Sequence, residues 1–84
     1  ELYVYPSPTL GPITIEMPAQ WERGTLQVYD IHSQLVLERT VDQRHRLLDM
    51  DLSQLTSGTY HLELYPKDNT ERIFFGKQIF IAPY

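Results

Sequence analysis

The sequence predicts an all-β domain, a seven-stranded antiparallel Greek-key sandwich, and three observations carry that prediction. Short segments alternate apolar and polar residues with period two, the mark of strands with one dry face and one wet one. Turn residues separate those segments at fairly even spacing. Third, Leu55-x-x-Gly58-x-Tyr60 has the makings of a tyrosine corner, in which a buried Tyr at a strand start bonds a backbone group a few residues upstream.

Taken in order, Leu2 to Tyr5 is a short strand that Pro6-Ser7-Pro8 must stop, because two prolines remove two backbone donors. Ile13 to Met17 follows, bounded by Gly11-Pro12 and Pro18. A loop holding Ala19, Gln20 and Trp21 ends at Gly24. Thr25 to Ile31 and Leu35 to Val41 are the third and fourth strands, joined by a turn at His32-Ser33-Gln34. Leu48, Met50 and Leu52 alternate with Asp49 and Asp51, and Tyr60, Leu62 and Leu64 repeat the pattern, which makes Leu47–Leu52 and Tyr60–Tyr65 the fifth and sixth. Leu48, Leu52 and Leu55 also fit a helical spacing. The small and β-branched run Thr56-Ser57-Gly58-Thr59 beside them ends helices, so strands are preferred. Pro66 to Thr70 is a turn cluster. Arg72 to Ile81 is the last strand, and Gly76 inside it suggests a bulge or a bend that lets it leave one sheet for another.

The expected core is Leu2, Val4, Ile13, Ile15, Leu26, Val28, Leu35, Leu37, Leu48, Met50, Leu52, Tyr60, Leu62, Leu64, Ile73 and Phe75. On the opposite phase Tyr3, Tyr5, Tyr29, Ile31 and Tyr65 are either edge packing or a partner surface. At 84 residues the chain is read as one domain, residues 1–84, cut from a longer protein. It has no cysteine, so neither a disulfide framework nor a thiolate metal site is available. A net charge of −4 with scattered Lys and Arg excludes the basic footprint of a nucleic-acid binder. Arg44-His45-Arg46, the one basic run, reads as a solvated loop. No apolar run approaches the ~20 residues that span a bilayer, and no signal-peptide pattern opens the sequence.

Candidate chemistry is thin. His61 and Glu63 share a strand face, as two zinc ligands would, yet a third ligand and a cavity would be needed. Asp49 and Asp51 share a face as a carboxylate dyad would, but their alternation with Leu48, Met50 and Leu52 makes them an ordinary wet face. Ser53 and Ser57 lack the strand–turn–helix setting of a nucleophile elbow and read as turn residues. The residues point to a binding, targeting or structural module, without catalytic residues, cofactor or metal. A passive accessory module that binds carbohydrate through Trp21 and exposed tyrosines is the rival reading.

With these segments placed, the chain resembles the C-terminal sorting domain of type IX secretion, the outer-membrane export route of Bacteroidetes. Val4-Tyr5-Pro6-Ser7-Pro8 is similar to the family's opening, and Ile13-Thr14-Ile15 to the strand after it. Leu26 to Asp30 followed by Leu35-Val36 resembles the central hairpin, with Ser33-Gln34 where the family usually carries glycine before a basic residue. Asp51 to Tyr60 is the nearest match, and Lys77 to Ile81 stands where the family ends. The motif residues are Pro6, Pro8, Asp51, Leu52, Leu55, Gly58 and Tyr60. The resemblance implies an immunoglobulin-like sandwich that follows an N-terminal cargo and is read by outer-membrane secretion machinery. It also implies passage through the periplasm to the outer membrane, cell surface or medium, commonly with removal by a sortase-like surface peptidase. Some members keep the domain, as components or signalling proteins of the secretion system. The ending Ile81-Ala82-Pro83-Tyr84 departs from the family's basic finish, which keeps a retained domain in view. Lys77, Ile79 and Ile81 in the last strand are the expected recognition residues, through a strand edge left open to a partner.

Overall fold

A computed structural model describes residues 2–19, 21–42, 45–67 and 74–83. Among them are seven strands, β1 (Tyr3–Tyr5), β2 (Pro12–Glu16), β3 (Gly24–Tyr29), β4 (Leu35–Val41), β5 (Leu47–Asp51), β6 (Gly58–Pro66) and β7 (Phe75–Ile81), and no helix. They form two antiparallel sheets, one ordered β1-β2-β5 and the other β4-β3-β6-β7. The chain crosses between sheets at β2–β3, β4–β5 and β5–β6, so neighbours in sequence lie on opposite layers at three of the six links.

Period-two alternation decides what is buried. Val4, Ile13, Ile15, Leu26, Val28, Leu48, Met50, Leu62 and Leu64 are all inward, as expected, and form one cluster with Leu2, Leu52 and Tyr60. Each fully buried aliphatic side chain contributes about 1.5–3 kcal/mol before ordering entropy is subtracted.

The structure departs from the expectation in four respects. Leu35 is 48% exposed rather than inward, because the β3–β4 register shifts between Val28 and Tyr29 and Val36 becomes the extra residue of a bulge. Leu37 and Phe75 pack against the cluster from its margin. Met17, Trp21, Val41, Ile79 and Ile81 join the core. Gly76 does not divert the last strand, since β7 stays registered with β6 from Phe75↔Leu64 to Ile81↔Gly58. The expected core residue Ile73, the strand start at Arg72 and the turn residues Asp68, Asn69 and Thr70 lie outside the described residues.

The β5–β6 crossing is the tyrosine corner. Tyr60 is buried and its Oη donates to Thr56 O at 2.8 Å, with Thr56 Oγ1 at 3.1 Å from the same oxygen. Leu55 N–H donates to Leu52 O at 2.9 Å, which turns the chain tightly between the layers. Gly58 then takes φ +146°, a region that L side chains avoid although space around it is open. Two substitutions separate these effects. Tyr60→Phe should cost about 1–2 kcal/mol by leaving the Thr56 carbonyl unpaired, and Gly58→Ala about 1–3 kcal/mol through backbone strain alone. Thermal melts should show roughly 4–8 °C lost per kcal/mol, and an unchanged midpoint for Tyr60→Phe would remove the corner's hydroxyl from the account.

Candidate functional site

The motif residues, scattered along the sequence, meet at one end of the sandwich. β2 begins where β5 ends, through Pro12↔Asp51, and β6 begins where β7 ends, through Gly58↔Ile81. Pro6 and Pro8, both after cis peptide bonds, lead into Thr9, which bridges to Ile81. Asp51 Oδ1 accepts from Ser53 N–H at 3.0 Å, Leu52 is fully buried, and Leu55 packs against the core.

Thr9 is the hub of this end and is 4% exposed. Its Oγ1 donates to Pro12 O at 2.6 Å and accepts from Gly11 N–H at 3.0 Å. Its main chain reaches the other sheet, with Thr9 N–H donating to Phe80 O at 3.0 Å and Ala82 N–H donating to Thr9 O at 2.7 Å. Phe80 N–H donates to Ser7 Oγ at 3.1 Å, and Leu52 N–H to Gly11 O at 2.9 Å. Gly11 at φ +143° permits that approach, because a Cβ there would sit 2.7 Å from Ser53 Cβ. At the far end of β7, Leu2 N–H donates to Gly76 O at 3.3 Å. The open edge expected on the last strand is therefore occupied at both ends. Ile79 and Ile81 point into the core at 1% and 2% exposure, while Lys77 is partly buried opposite Leu62.

The nominal outer tyrosines fall into two groups on opposite layers. Tyr3 and Tyr5 stand exposed on β1. On the outer face of the larger sheet, Tyr29 Oη donates to Gln27 Oε1 at 2.5 Å, and Gln27 Nε2 donates to Glu38 Oε2 at 2.7 Å. Beside them Tyr65 Oη donates to Glu63 Oε1, His61 Nε2 lies 3.3 Å from Glu63 Oε2, and the Tyr65 ring lies 5.3 Å from that of Phe74. The His61–Glu63 pair thus serves a surface network, and no group of three metal-ligating side chains occurs among the described residues. Asp49 accepts from Thr14 Oγ1 at 2.7 Å across the β2–β5 pair, an ordinary wet-face contact.

The opposite end of the sandwich holds an open cavity of about 900 Å³, lined by Leu2, Tyr3, Met17, Trp21, His45 and Arg46 among others. Arg46 Nη2 lies 3.5 Å from Glu16 Oε1, while Arg44 is outside the described residues. Trp21 is 7% exposed, and a Cβ on Gly24 would sit 2.5 Å from its ring and 2.0 Å from Tyr65 O. The indole is wedged inside, which removes it as the stacking platform of a carbohydrate binder. Sequence reasoning missed Thr9, since nothing in Pro8-Thr9-Leu10 distinguishes a buried threonine from a loop residue.

Comparison with protein families gives a match over most of the chain. The family described as the secretion system C-terminal sorting domain matches residues 3–79, which takes in the Thr9 hub, the corner and most of β7. No curated protein matches the chain.

Two measurements test this geometry. Thr9→Val should cost about 1–3 kcal/mol by stranding the buried Gly11 N–H, whereas Thr9→Ser should restore most of the stability; equal melting of Thr9→Val and the parent would dismiss the hub. Tyr65 is pushed up from 10.0 to about 12, first by its hydrogen bond to Glu63 and then by burial. Because its neutral form is favoured in the fold, the stability it adds is complete below pH ~10 and lost as pH rises through ~12. In a spectrophotometric titration Tyr65→Phe should delete a phenol that ionises near pH 12.

Proposed function

Since the chain belongs to the family of secretion system C-terminal sorting domains, we propose that its sorting signal is the folded shape of the motif end rather than a linear peptide. The domain is the C-terminal sorting signal of type IX secretion, which directs the protein that carries it across the outer membrane. The observation that carries the folded-signal reading is the convergence of Pro6–Thr9, Asp51–Tyr60 and Phe80–Ala82 through backbone bonds. Residues more than forty positions apart become one surface only after folding, so a receptor that reads them together reads a completed domain.

On this reading the domain is not catalytic and needs no cofactor. Residues 1–84 act as one unit behind an N-terminal cargo. Secretion-machinery proteins are its partners, and a sortase-like peptidase releases the cargo to the cell surface. Within β7, Ile79 and Ile81 act by anchoring the strand in the core, and Lys77 is its candidate contact.

Fusion to a reporter that carries its own inner-membrane export signal tests the assignment in a type IX-competent cell. The reporter should reach the medium or surface, and Lys77→Ala should lower that yield while the domain still folds at the assay temperature. Periplasmic retention of an intact, folded fusion would falsify the sorting role.

A further inference from the structure

The two sheets leave four edge strands, and among the described residues one side of the sandwich is closed. β1 and β7 meet through Leu2, Ser7 and Thr9. On the other side β4 and β5 remain apart, flanking a groove of about 480 Å³ lined by Arg39, Ile13, Met50, Asp49 and Asp51 among others. β5 is short and turns away at Leu52. β4 is longer, and among the described residues its backbone pairs with β3 alone, apart from the turn bond from Asp30 N–H to Gln34 O.

The ladder phase shows which β4 groups face outward. Phe80 bonds away from β6, to Ser7 and Thr9, so in that antiparallel pair Ile79 and Ile81 are the residues that bond β6. Carried across the registers, His61, Glu63 and Tyr65 bond β3, and Gly24, Leu26 and Val28 bond β4. The bond from Lys67 N–H to Arg23 O, at 3.0 Å, falls in the same phase. Leu37, Arg39 and Val41 are thus committed to β3, and the N–H and C=O of Glu38 and Thr40 point into the open edge.

Side chains define what fits there. Arg39 pairs with Leu26, so it stands on the core-side face, yet it is exposed at the open groove that it lines together with Asp49, Met50 and Asp51 of the smaller sheet. It makes no hydrogen bond or ion pair among the described residues. Leu37 and Val41 flank it on the same face, and both touch the core. A cation held inward at an edge repels an apolar strand and selects one that brings a carboxylate. A second copy fits poorly. A twofold axis normal to the sheet pairs residues of the same face, and the registers with fullest overlap set Glu38 against Glu38 or Arg39 against Arg39.

We propose that the β4 edge accepts an extended strand of a secretion-machinery protein, with a carboxylate opposite Arg39 and apolar side chains opposite Leu37 and Val41. The bond donors are Glu38 and Thr40, and the mode is strand addition. This rests on the sorting-signal reading but concerns a different part of the domain from the motif end.

The reporter fusion tests it with three variants. Thr40→Pro removes an outward N–H and none that bonds β3, a position where edge strands tolerate proline. It should melt within roughly 5 °C of the parent and lower export by roughly tenfold. Arg39→Glu keeps every backbone group, reverses the charge and should lower export similarly, while Arg39→Lys should retain most of it. Should Thr40→Pro unfold, the two Arg39 variants decide. Folded variants that all export like the parent overturn the β4 assignment and leave the sorting role standing; a parent fusion that is itself retained overturns both. Sedimentation showing a dimer that Thr40→Pro dissolves would assign the edge to a second copy and also overturn the proposal.

Discussion

Closure of the sandwich between the β1–β2 connection and β7 is the constraint on which the other features depend. Thr9 makes it, because one residue satisfies the turn before β2 with its hydroxyl and the end of β7 with its main chain. Without that link the two layers would be joined mainly by apolar contact, which is strong but non-directional. With it the layers have a fixed relative position, and the buried polar groups at their junction are paired rather than stranded. The corner at Tyr60 performs the same service one crossing away, so two hydrogen-bonded fasteners sit at the same end of the molecule.

That asymmetry divides the domain. One end is knit by backbone and hydroxyl bonds, while the other holds the open cavity beside Trp21 and the exposed Tyr3. One lateral side is closed by β1 against β7, and the other ends in β4 with its inward Arg39. Protection of three of the four edges by closure, brevity or carboxylates is how a small sandwich avoids indiscriminate pairing. The bulge at Val36 limits regular pairing on the fourth to the stretch from Leu37 onward.

Much of this architecture was legible in the sequence. Strict alternation at Leu48–Leu52 and Tyr60–Leu64 located two strands and their buried faces, and Gly58 with Tyr60 marked the corner between them. Alternation failed where the ladder did. Leu35 reads as inward by alternation because a bulge adds one residue without any distinctive side chain. Ile79 and Ile81 are buried because β7 keeps its phase through Gly76; the sequence hides this where Gly76 reads as a break, while continuing the phase from Phe75 through Lys77 places both inward. The candidate site was legible only as separate motifs. Spacing alone does not say that Pro6–Thr9, Asp51–Tyr60 and Phe80–Ala82 share one end, since that follows from which strands pair. Arg39 is illegible for a related reason, as an inward charge makes sense only once β4 is seen to be an edge strand beside an open groove.

The joining of positions 7–9 to positions 80–82 has a consequence for biosynthesis. The bonds that close the domain, from Thr9 to Phe80 and Ala82, span nearly its whole length, and such contacts form late because loop closure must come first. The domain therefore acquires its finished shape only when its own last strand has arrived. A chain terminated or clipped before β7 would carry cargo but no completed domain. If the folded shape is what the exporter reads, each cargo molecule bears a certificate of full-length synthesis, and fragments are refused without any separate proofreading step.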